Sequence, residues 1–335
     1  MRHAKSTDVP LTSPIVARRD PSLRAIVVNR VLLRYHELAD DLSRATSVRA
    51  ASSITRTREG IALAQDDANF IALFDEDGTP RRAIALPAGE GGRRQFPGEP
   101  GKRHKLDLEA ATTISTARGE LLLQLGSGST TTRERIAILR PPDSVALVHV
   151  PKFYDALRGA ADFAGSDLNV EGATHVGEVL RLFSRGNGAV RDEVRPVNAS
   201  CDVNLLGLLA HLDDPGGTEP PRPTQVVQYD LGMLDGVPLG FTDVAWWKGR
   251  LYYSAAAEDS PDVVRDGRVS GSVIGFIEDA HARWAPVTNA DGSVFAAKVE
   301  GLLPAMRGNA LLVVTDPDAP DSASELCTVE LRGPW

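Results

Sequence analysis

The sequence predicts an all-β protein, a five-bladed β-propeller whose two termini close one blade. Three observations predict it: short, dense strand signals; an acidic signature that recurs along the chain; and a C-terminal remainder too short for a whole blade. The expected organisation is a flexible N-terminal tail over 1–20 and a single β-propeller domain over 21–335.

The strand signals come first. LRAIVVNRVLLRY (23–35), GIALAQ (60–65), NFIALFD (69–75) and RRAIALP (81–87) are rich in β-formers and bounded by Asp, Gly or Pro. Runs of this kind read as strands. The same texture continues at 119–128, 135–141, 144–151, 178–188, 249–258, 272–279 and 310–318. Only 152–161 and 203–214 read as short helices. A 335-residue chain of this texture, with 30 Gly and 22 Pro, suits a barrel, a sandwich or a propeller.

The repeat decides among these. An acidic residue, often followed by Gly or Ala, sits inside a β-like segment in TREGIAL (57–63), DLEAATTI (107–114), NVEGATHV (169–176), GFTDVAWW (240–247) and KVEGLLPA (298–305). The steps of 50, 62, 72 and 57 residues each hold four strands and their loops. Beyond Glu300 only 35 residues remain, enough for about two strands, and 20–50 can supply what the last blade lacks. The alternative is a six-bladed ring with an extra unit inside the long 72-residue step. There, DDPGGTEPPRPT (213–224) reads as a loop insertion.

Side chains alternate along a strand with period two. If Glu59 faces the central channel, so do Glu109, Glu171, Asp243 and Glu300. Thr57, Asp107, Asn169, Phe241 and Lys298, two residues earlier, share that face. Crowded carboxylates raise one another's pKa unless protons, basic neighbours such as Lys105 and Lys298, or a bound cation compensate. An all-oxygen ring without His or Cys suits a hard cation. Ca²⁺, which accepts six to eight oxygen ligands in flexible geometry, fits better than Mg²⁺.

The loops expected at the channel mouth are 75–82, 126–135, 184–191, 257–268 and 315–324. They carry Arg133 and Arg135, Arg185 and Arg191, and Arg265 and Arg268. Arginine forks match phosphate and carboxylate oxygens. Arg133, Arg185, Asn187 and Lys298 are therefore the candidate substrate-binding residues.

Bulk properties exclude other classes. A net charge of −8 argues against general nucleic-acid binding, which needs a basic footprint. No apolar run has the length of a signal peptide or a membrane helix, so a soluble cytoplasmic protein is expected. Two cysteines, Cys201 and Cys327, make neither a zinc pattern nor a disulfide scaffold. There is no GxSxG elbow, HExxH, EF-hand loop or GxGxxG after a strand.

The signatures and their order resemble the calcium-activated nucleotidases, the five-bladed apyrases. In that family one acidic or hydroxyl residue from the inner strand of each blade coordinates a central Ca²⁺. The run GFTDVAWWKGRLYYSAAAEDSPDVVRDGRVSGSVIGFI followed by KVEGL is similar to the family's run from a Gly-Phe-Ser-Ser strand to a Glu-Gly strand. NVEGATHVGEVLRLFSRGN looks like its third blade, and DLEAATTI fits its second. The resemblance implies Glu109, Glu171 and Glu300 as Ca²⁺ ligands, with either Thr242 or Asp243 in the fourth blade and Glu59 in the first. The DLEA and VEG strands also resemble esterase-like phytases and uncharacterised bacterial propellers.

Together these readings predict a Ca²⁺-dependent hydrolase of a phosphorylated or otherwise anionic small molecule. Asp107 or Glu109 would position water. A non-catalytic propeller with a structural ion and a lactonase- or esterase-like hydrolase are the alternatives.

Overall fold

A computed structural model describes residues 13–35, 46–98, 101, 103–117, 119–140, 144–259, 267–317 and 322–335. The described chain is mostly β, as the strand texture predicts. Its strands, in order, are β1 (Ile15–Arg19), β2 (Arg24–Leu32), β3 (Ala51–Thr57), β4 (Gly60–Gln65), β5 (Phe70–Phe74), β6 (Pro80–Ala85), β7 (Leu108–Thr116), β8 (Gly119–Gly126), β9 (Arg135–Arg140) and β10 (Ser144–His149). Then come β11 (Val170–Val176), β12 (Val179–Ser184), β13 (Asn198–Asn204), β14 (Thr224–Asp230), β15 (Met233–Leu234), β16 (Val237–Trp247) and β17 (Arg250–Asp259). The last are β18 (Arg268–Glu278), β19 (His281–Asn289), β20 (Lys298–Pro304), β21 (Ala310–Asp316) and β22 (Glu325–Arg332).

Antiparallel pairing groups them into sheet I (β3-β4-β5-β6), sheet II (β7-β8-β9-β10), sheet III (β11-β12-β13-β14), sheet IV (β16-β17-β18-β19) and sheet V (β20-β21-β22-β2). Sheet V takes three strands from the C-terminal end and its outermost strand from the N-terminal end. The strands of sheet III lie within Val170–Asp230, and 213–224 is the link into β14.

The first strands of the sheets touch in cyclic order: β3 against β7, β7 against β11, β11 against β16, β16 against β20, and β20 against β3. Burial follows the same cycle. One apolar layer lies between each consecutive pair of sheets, around Leu122 (I and II), Leu182 (II and III), Phe241 (III and IV), Val313 (IV and V) and Ile54 (V and I). Strands packed on both faces lose the hydrophobic alternation of a one-sided sheet. β5 is accordingly buried along its whole length.

The turn between the first two strands of every sheet carries a glycine at positive φ: Gly60, Gly119, Gly177, Gly249 and Gly308. L-residues rarely adopt such angles, so glycine marks each of these hairpins.

Among the elements described in full, three α-helices interrupt the strands: α1 (Pro151–Arg158), α2 (Ala161–Ala164) and α3 (Leu205–Asp213). Pro151 starts α1 at the position where a missing N–H costs nothing. Asn204 caps α3 by accepting the Gly207 amide at 2.7 Å. The helices match the two segments expected from the sequence.

The N-terminal tail requires a correction. Residues 1–12 lie outside the described residues, but Ile15–Arg19 is a strand. It runs parallel to β14 through Ile15↔Tyr229 and parallel to β19 through Ala17↔Ala282, filling the gap between the outer edges of sheets III and IV. β2 then continues beside β19 with Ala25↔Val287. The segment is polar enough to read as a tail because only Ala17 is buried within it. Its order comes from edge hydrogen bonding to strands some 200 residues away or more.

Candidate functional site

The first strand of every sheet breaks register once. The break falls at Ser52 in β3, Glu109 in β7, Glu171 in β11, Thr242 in β16 and Glu300 in β20. A bulge of this kind re-aims a side chain and recurs beside functional sites. The five bulged residues are structurally equivalent, one per sheet, where the five first strands converge.

This register confirms Glu109, Glu171 and Glu300 as equivalent positions and corrects two others. Glu59 is not in the set. It sits in the β3–β4 turn, half-exposed, and its carboxylate is held by the Arg82 guanidinium at 2.9 and 2.7 Å. The Glu-Gly pair at 59–60 belongs to the hairpin glycine, not to the bulge, so matching it to Val-Glu-Gly shifts sheet I out of register. Its true equivalent is Ser52. In sheet IV the bulge chooses Thr242 over Asp243. Asp243 instead accepts the Val244 amide (2.8 Å), the Leu302 amide (3.0 Å) and the Ser53 hydroxyl (3.1 Å). Thr57 and Phe241 leave the channel layer with the same shift. Thr57 caps the turn, and Phe241 is fully buried among Phe183, Tyr229 and Tyr253.

Glycine after the ring residue has a steric reason at Gly301. A Cβ there would lie 2.7 Å from Val314 Cγ2 and 3.0 Å from the Ile54 amide nitrogen. Sheets V and I approach too closely for any side chain.

Around the ring lies a dense ionic network. Arg185 Nη2 is 2.8 Å from Glu258 Oε2, and Nη1 is 3.4 Å from Glu171 Oε1. Lys298 Nζ is 2.6 Å from Glu300 Oε1 and 3.0 Å from Glu258 Oε2. Asn169 Nδ2 donates to Glu171 Oε1 (2.7 Å) and to Asn187 Oδ1 (3.2 Å). On the other side Asp107 meets Lys105 (2.9 Å) and Arg133 (2.8 Å), and Lys105 also pairs with Asp66. Oxygens of Asp66, Asp107 and Glu109 lie within 4.8 Å of one another, close enough to share a cation.

The electrostatics follow from this crowding. Burial pushes the Asp66 carboxyl up to about 8, with Lys105 opposing and Asp107 adding to the rise. Burial likewise raises Glu109 well above the usual range, reinforced by Asp66, Asp107 and Glu171. Glu171 is raised, and Glu300 is pushed up to about 7, in both cases by burial first. Asp107 is the exception. Burial alone would raise it, but Lys105 and Arg133 hold it well below the usual carboxylate range.

Six carboxylates (Asp66, Asp107, Glu109, Glu171, Glu258 and Glu300) face four cations (Lys105, Arg133, Arg185 and Lys298) in this described network. Glu300 Oε2 is buried with no hydrogen-bond partner, and such atoms are rare unless something else satisfies them. Among the described residues Asp66, Asp107 and Glu109 are the acidic group whose oxygens lie close enough to hold a hard divalent cation. Ser52, Thr242 and the three glutamates offer only oxygen donors, the chemistry Ca²⁺ takes.

Of the candidate substrate residues, Arg133 and Arg185 are almost wholly buried and already paired. Asn187 is half-buried beside Asn169. Arg135 bonds the Thr132 carbonyl, Arg191 pairs with Asp167, and Arg268 is exposed at the start of β18; Arg265 lies outside the described residues. His175 belongs to the opposite end of the first strands. There a cavity of about 540 Å³ is lined by all five, including Thr55, Thr113, Trp246 and Leu302.

Sequence reasoning missed Ser52, Asp66 and Glu258. Asp66 directly follows the second strand of sheet I, at the place Ser127 and Arg185 occupy in sheets II and III. Each donates its amide to the residue two before the bulge: Ala50, Asp107 and Asn169. The loop 75–82, expected at that place from the sequence, instead joins β5 to β6. The strand signal at 60–65 suffices to find Asp66 once the loop directly after it is taken as the one at the channel mouth.

Comparison with known proteins places the chain by family. A model described as "Family of unknown function (DUF6929)" matches residues 47–331. The chain belongs to this family. No curated protein matches it. Among solved structures, the DUF6929 chain is similar to the N-terminal domain of Nup159 (7% identity, 96% of this chain and 99% of that one, TM-score 0.33). It is also similar to a DUF4221 member from Bacteroides vulgatus (8%, 93% and 99%, 0.31) and to extracellular domains 1–2 of Drosophila Semaphorin 1b (8%, 92% and 87%, 0.32). At TM-scores this low they bear on neither architecture nor chemistry. No helix among the described residues is long and apolar enough to cross a membrane.

Proposed function

We propose that this DUF6929 protein is a five-bladed β-propeller holding a divalent cation, Ca²⁺ by its donor set, on its axis. Sheets I–V are the blades, and the ligands are Ser52, Glu109, Glu171, Thr242 and Glu300. The observation that carries the reading is the bulge repeated at one equivalent position in each first strand. The unpartnered Glu300 Oε2 supports it.

The chemistry that fits this site is hydrolysis of a phosphorylated or otherwise anionic small molecule. A bound Ca²⁺ would supply Lewis acidity toward an anionic oxygen. Asp107, kept ionised by Lys105 and Arg133, would accept a hydrogen bond from water. Lys298 and Arg185 would set the positive side of the site, and Asn169 would hold Glu171 and Asn187 in place.

A second reading has its own support. Arg133 and Arg185 are almost wholly buried and already paired, which favours a structural ion that locks the blades. A lactonase- or esterase-like reaction at the same ion is a third outcome of the screen below.

Calorimetric Ca²⁺ titration and thermal melts of the wild type, Glu171→Ala and Glu300→Ala test the site. Wild type should bind and be stabilised, and both variants should lose the effect. Variants that respond like wild type would sink the reading. Nucleotides, phosphate esters and lactones, each with Ca²⁺ and with chelator, then separate hydrolase from scaffold.

A further inference from the structure

The first strands run on past the ring into the cavity of about 540 Å³ at their opposite end. The bulges give all five strands a common count, so its lining divides into levels. Two residues past the bulge stand Ile54, Ala111, Ala173, Val244 and Leu302. All five are apolar and buried, and they form the floor on the ring side.

Above the floor the sheets differ. Three residues past the bulge, sheets I, II and III supply Thr55, Thr112 and Thr174, whereas sheets IV and V supply Ala245 and Leu303. At the next level the same division holds. Arg56, Thr113 and His175 stand on one side, Trp246 and Pro304 on the other. The cavity is therefore polar along sheets I–III and carbon-lined along sheets IV and V. A threonine hydroxyl can both donate and accept, and Thr55 already bonds Thr113 at 3.3 Å. Trp246 is 46% exposed, and of the four tryptophans it is the exposed one. An indole open to solvent beside a concavity is a platform for the apolar face of a ligand.

The charged groups of the lining come in opposite signs. Arg56 pairs with Glu76 and donates to the Pro304 carbonyl at 2.7 Å. Arg58 and Glu120 bring one charge of each sign to the rim, where Glu120 Oε1 accepts the Arg58 amide at 3.1 Å. His175 is bonded to the Gly177 carbonyl at 2.6 Å. An uncharged occupant fits this lining better than an ion does. It needs hydrogen-bonding groups along one edge and C–H surface across one face. A pyranose ring has that division: its hydroxyls radiate from the edge, and its axial C–H bonds make a face that meets the electron-rich face of an indole.

We infer that this cavity binds an uncharged sugar, free or at the end of a glycan, with its C–H face on Trp246 and its hydroxyls on Thr112, Thr113 and Thr174. Sugar binding here needs no cation at the ring, because the apolar floor lies between the two sites.

Calorimetric titration and tryptophan fluorescence of the full chain test this, in Ca²⁺ and in chelator. The probes are the methyl glycosides of glucose, galactose, mannose and N-acetylglucosamine, and the matching disaccharides. At least one should bind and change the tryptophan emission, with an affinity equal within about twofold in the two conditions. Thr112→Val and Thr174→Val nearly keep the side-chain shape and remove one hydroxyl. Each should weaken binding about two- to tenfold, the usual worth of a hydrogen bond. Trp246→Ala should weaken it about tenfold or more. Its exposed position makes it the deciding variant should a threonine variant fail to fold.

Tighter binding of a disaccharide than of its methyl glycoside assigns the site to a glycan end, and equal binding assigns it to a free sugar. Absence of binding by all of these sugars overturns the inference. So does binding that the variants leave unchanged, which places the sugar elsewhere, and binding seen only in Ca²⁺, which places it at the ring. Tighter binding of benzoate or benzylamine than of any sugar overturns the uncharged class. Sugar binding without any Ca²⁺ binding upholds this site and sinks the ring alone.

Discussion

The Oδ2 atom of Asp243 accepts the Ser53 hydroxyl at 3.1 Å, joining sheet IV to sheet I; the same oxygen takes the Leu302 amide of sheet V at 3.0 Å. Ser53 Oγ in turn accepts the Ala111 amide of sheet II. One buried carboxylate thus ties strands of four sheets together beside the ring. Asp243→Ala would strand two amides and a hydroxyl. Unsatisfied buried groups cost about 1–3 kcal/mol each, so the loss should be about 3 kcal/mol or more in urea unfolding. Ca²⁺ affinity of the folded variant should stay within about threefold of wild type, because the bulged neighbour Thr242 is the proposed ligand. A variant that keeps its stability but loses Ca²⁺ would return Asp243 to the ring.

Ser52 and Glu59 give the sharpest test of the register. Ser52→Ala should weaken Ca²⁺ about tenfold or more, at least the effect of removing a metal site's supporting group. Glu59→Ala should leave affinity unchanged, since Glu59 pairs with Arg82 in an exposed turn. Calorimetric titration of both distinguishes them, and the reverse result would restore the sequence assignment.

Stability should depend on pH and chelator together. The folded-state pKa of Glu300 is pushed up to about 7, by burial first. Glu171 and Glu109 are raised in the same direction. A raised carboxyl binds its proton more tightly folded than unfolded. Its stabilisation is present below about pH 4.5, the ordinary glutamate range, and is lost as pH rises through about 7. The metal-free protein should therefore weaken from about pH 5.5 to about pH 8, the span that brackets this titration. Ca²⁺, which binds the ionised form, should restore more stability at the upper end of that span than at the lower. Urea midpoints in chelator that rise over this interval would refute the expectation.

Gly301→Ala should destabilise by about 1–3 kcal/mol, the usual cost of overpacking. Its new Cβ would meet Val314 and the Ile54 backbone. Thermal melts measure the loss. A neutral result would mean sheets V and I can separate at no cost.

Much of this fold was legible because its signals are local. β4 spans the same residues as the GIALAQ run, and hairpin glycines and short apolar runs mark most strands. The ring was legible where its member is a glutamate. Ser52 was not, because a serine in a strand carries no signal of its own and a decoy Glu-Gly lay seven residues on, in a turn. Glu258 and Asp66 were hidden for a different reason. Their roles depend on Lys298, Arg185 and Lys105, partners that only tertiary contact brings near. Ile15–Arg19 was missed because a strand held by hydrogen bonds to two sheet edges needs almost no burial to be ordered.

The place of β1 and β2 has a consequence for how the chain is made. Ile15–Arg19 rests on Tyr229 and Ala282, and Arg24–Leu32 pairs with Glu325–Arg332. The earliest described strands to leave the ribosome thus have partners among the last. Until those partners are made, β2 and the open edges of sheets III to V stay unpaired, and unpaired edges invite association with other chains. Sheets I and II, whose strands pair only within themselves, can assemble early. The final step is then a clasp rather than a growth: one N-terminal ribbon laid across three finished sheets, closing a seam that would otherwise part.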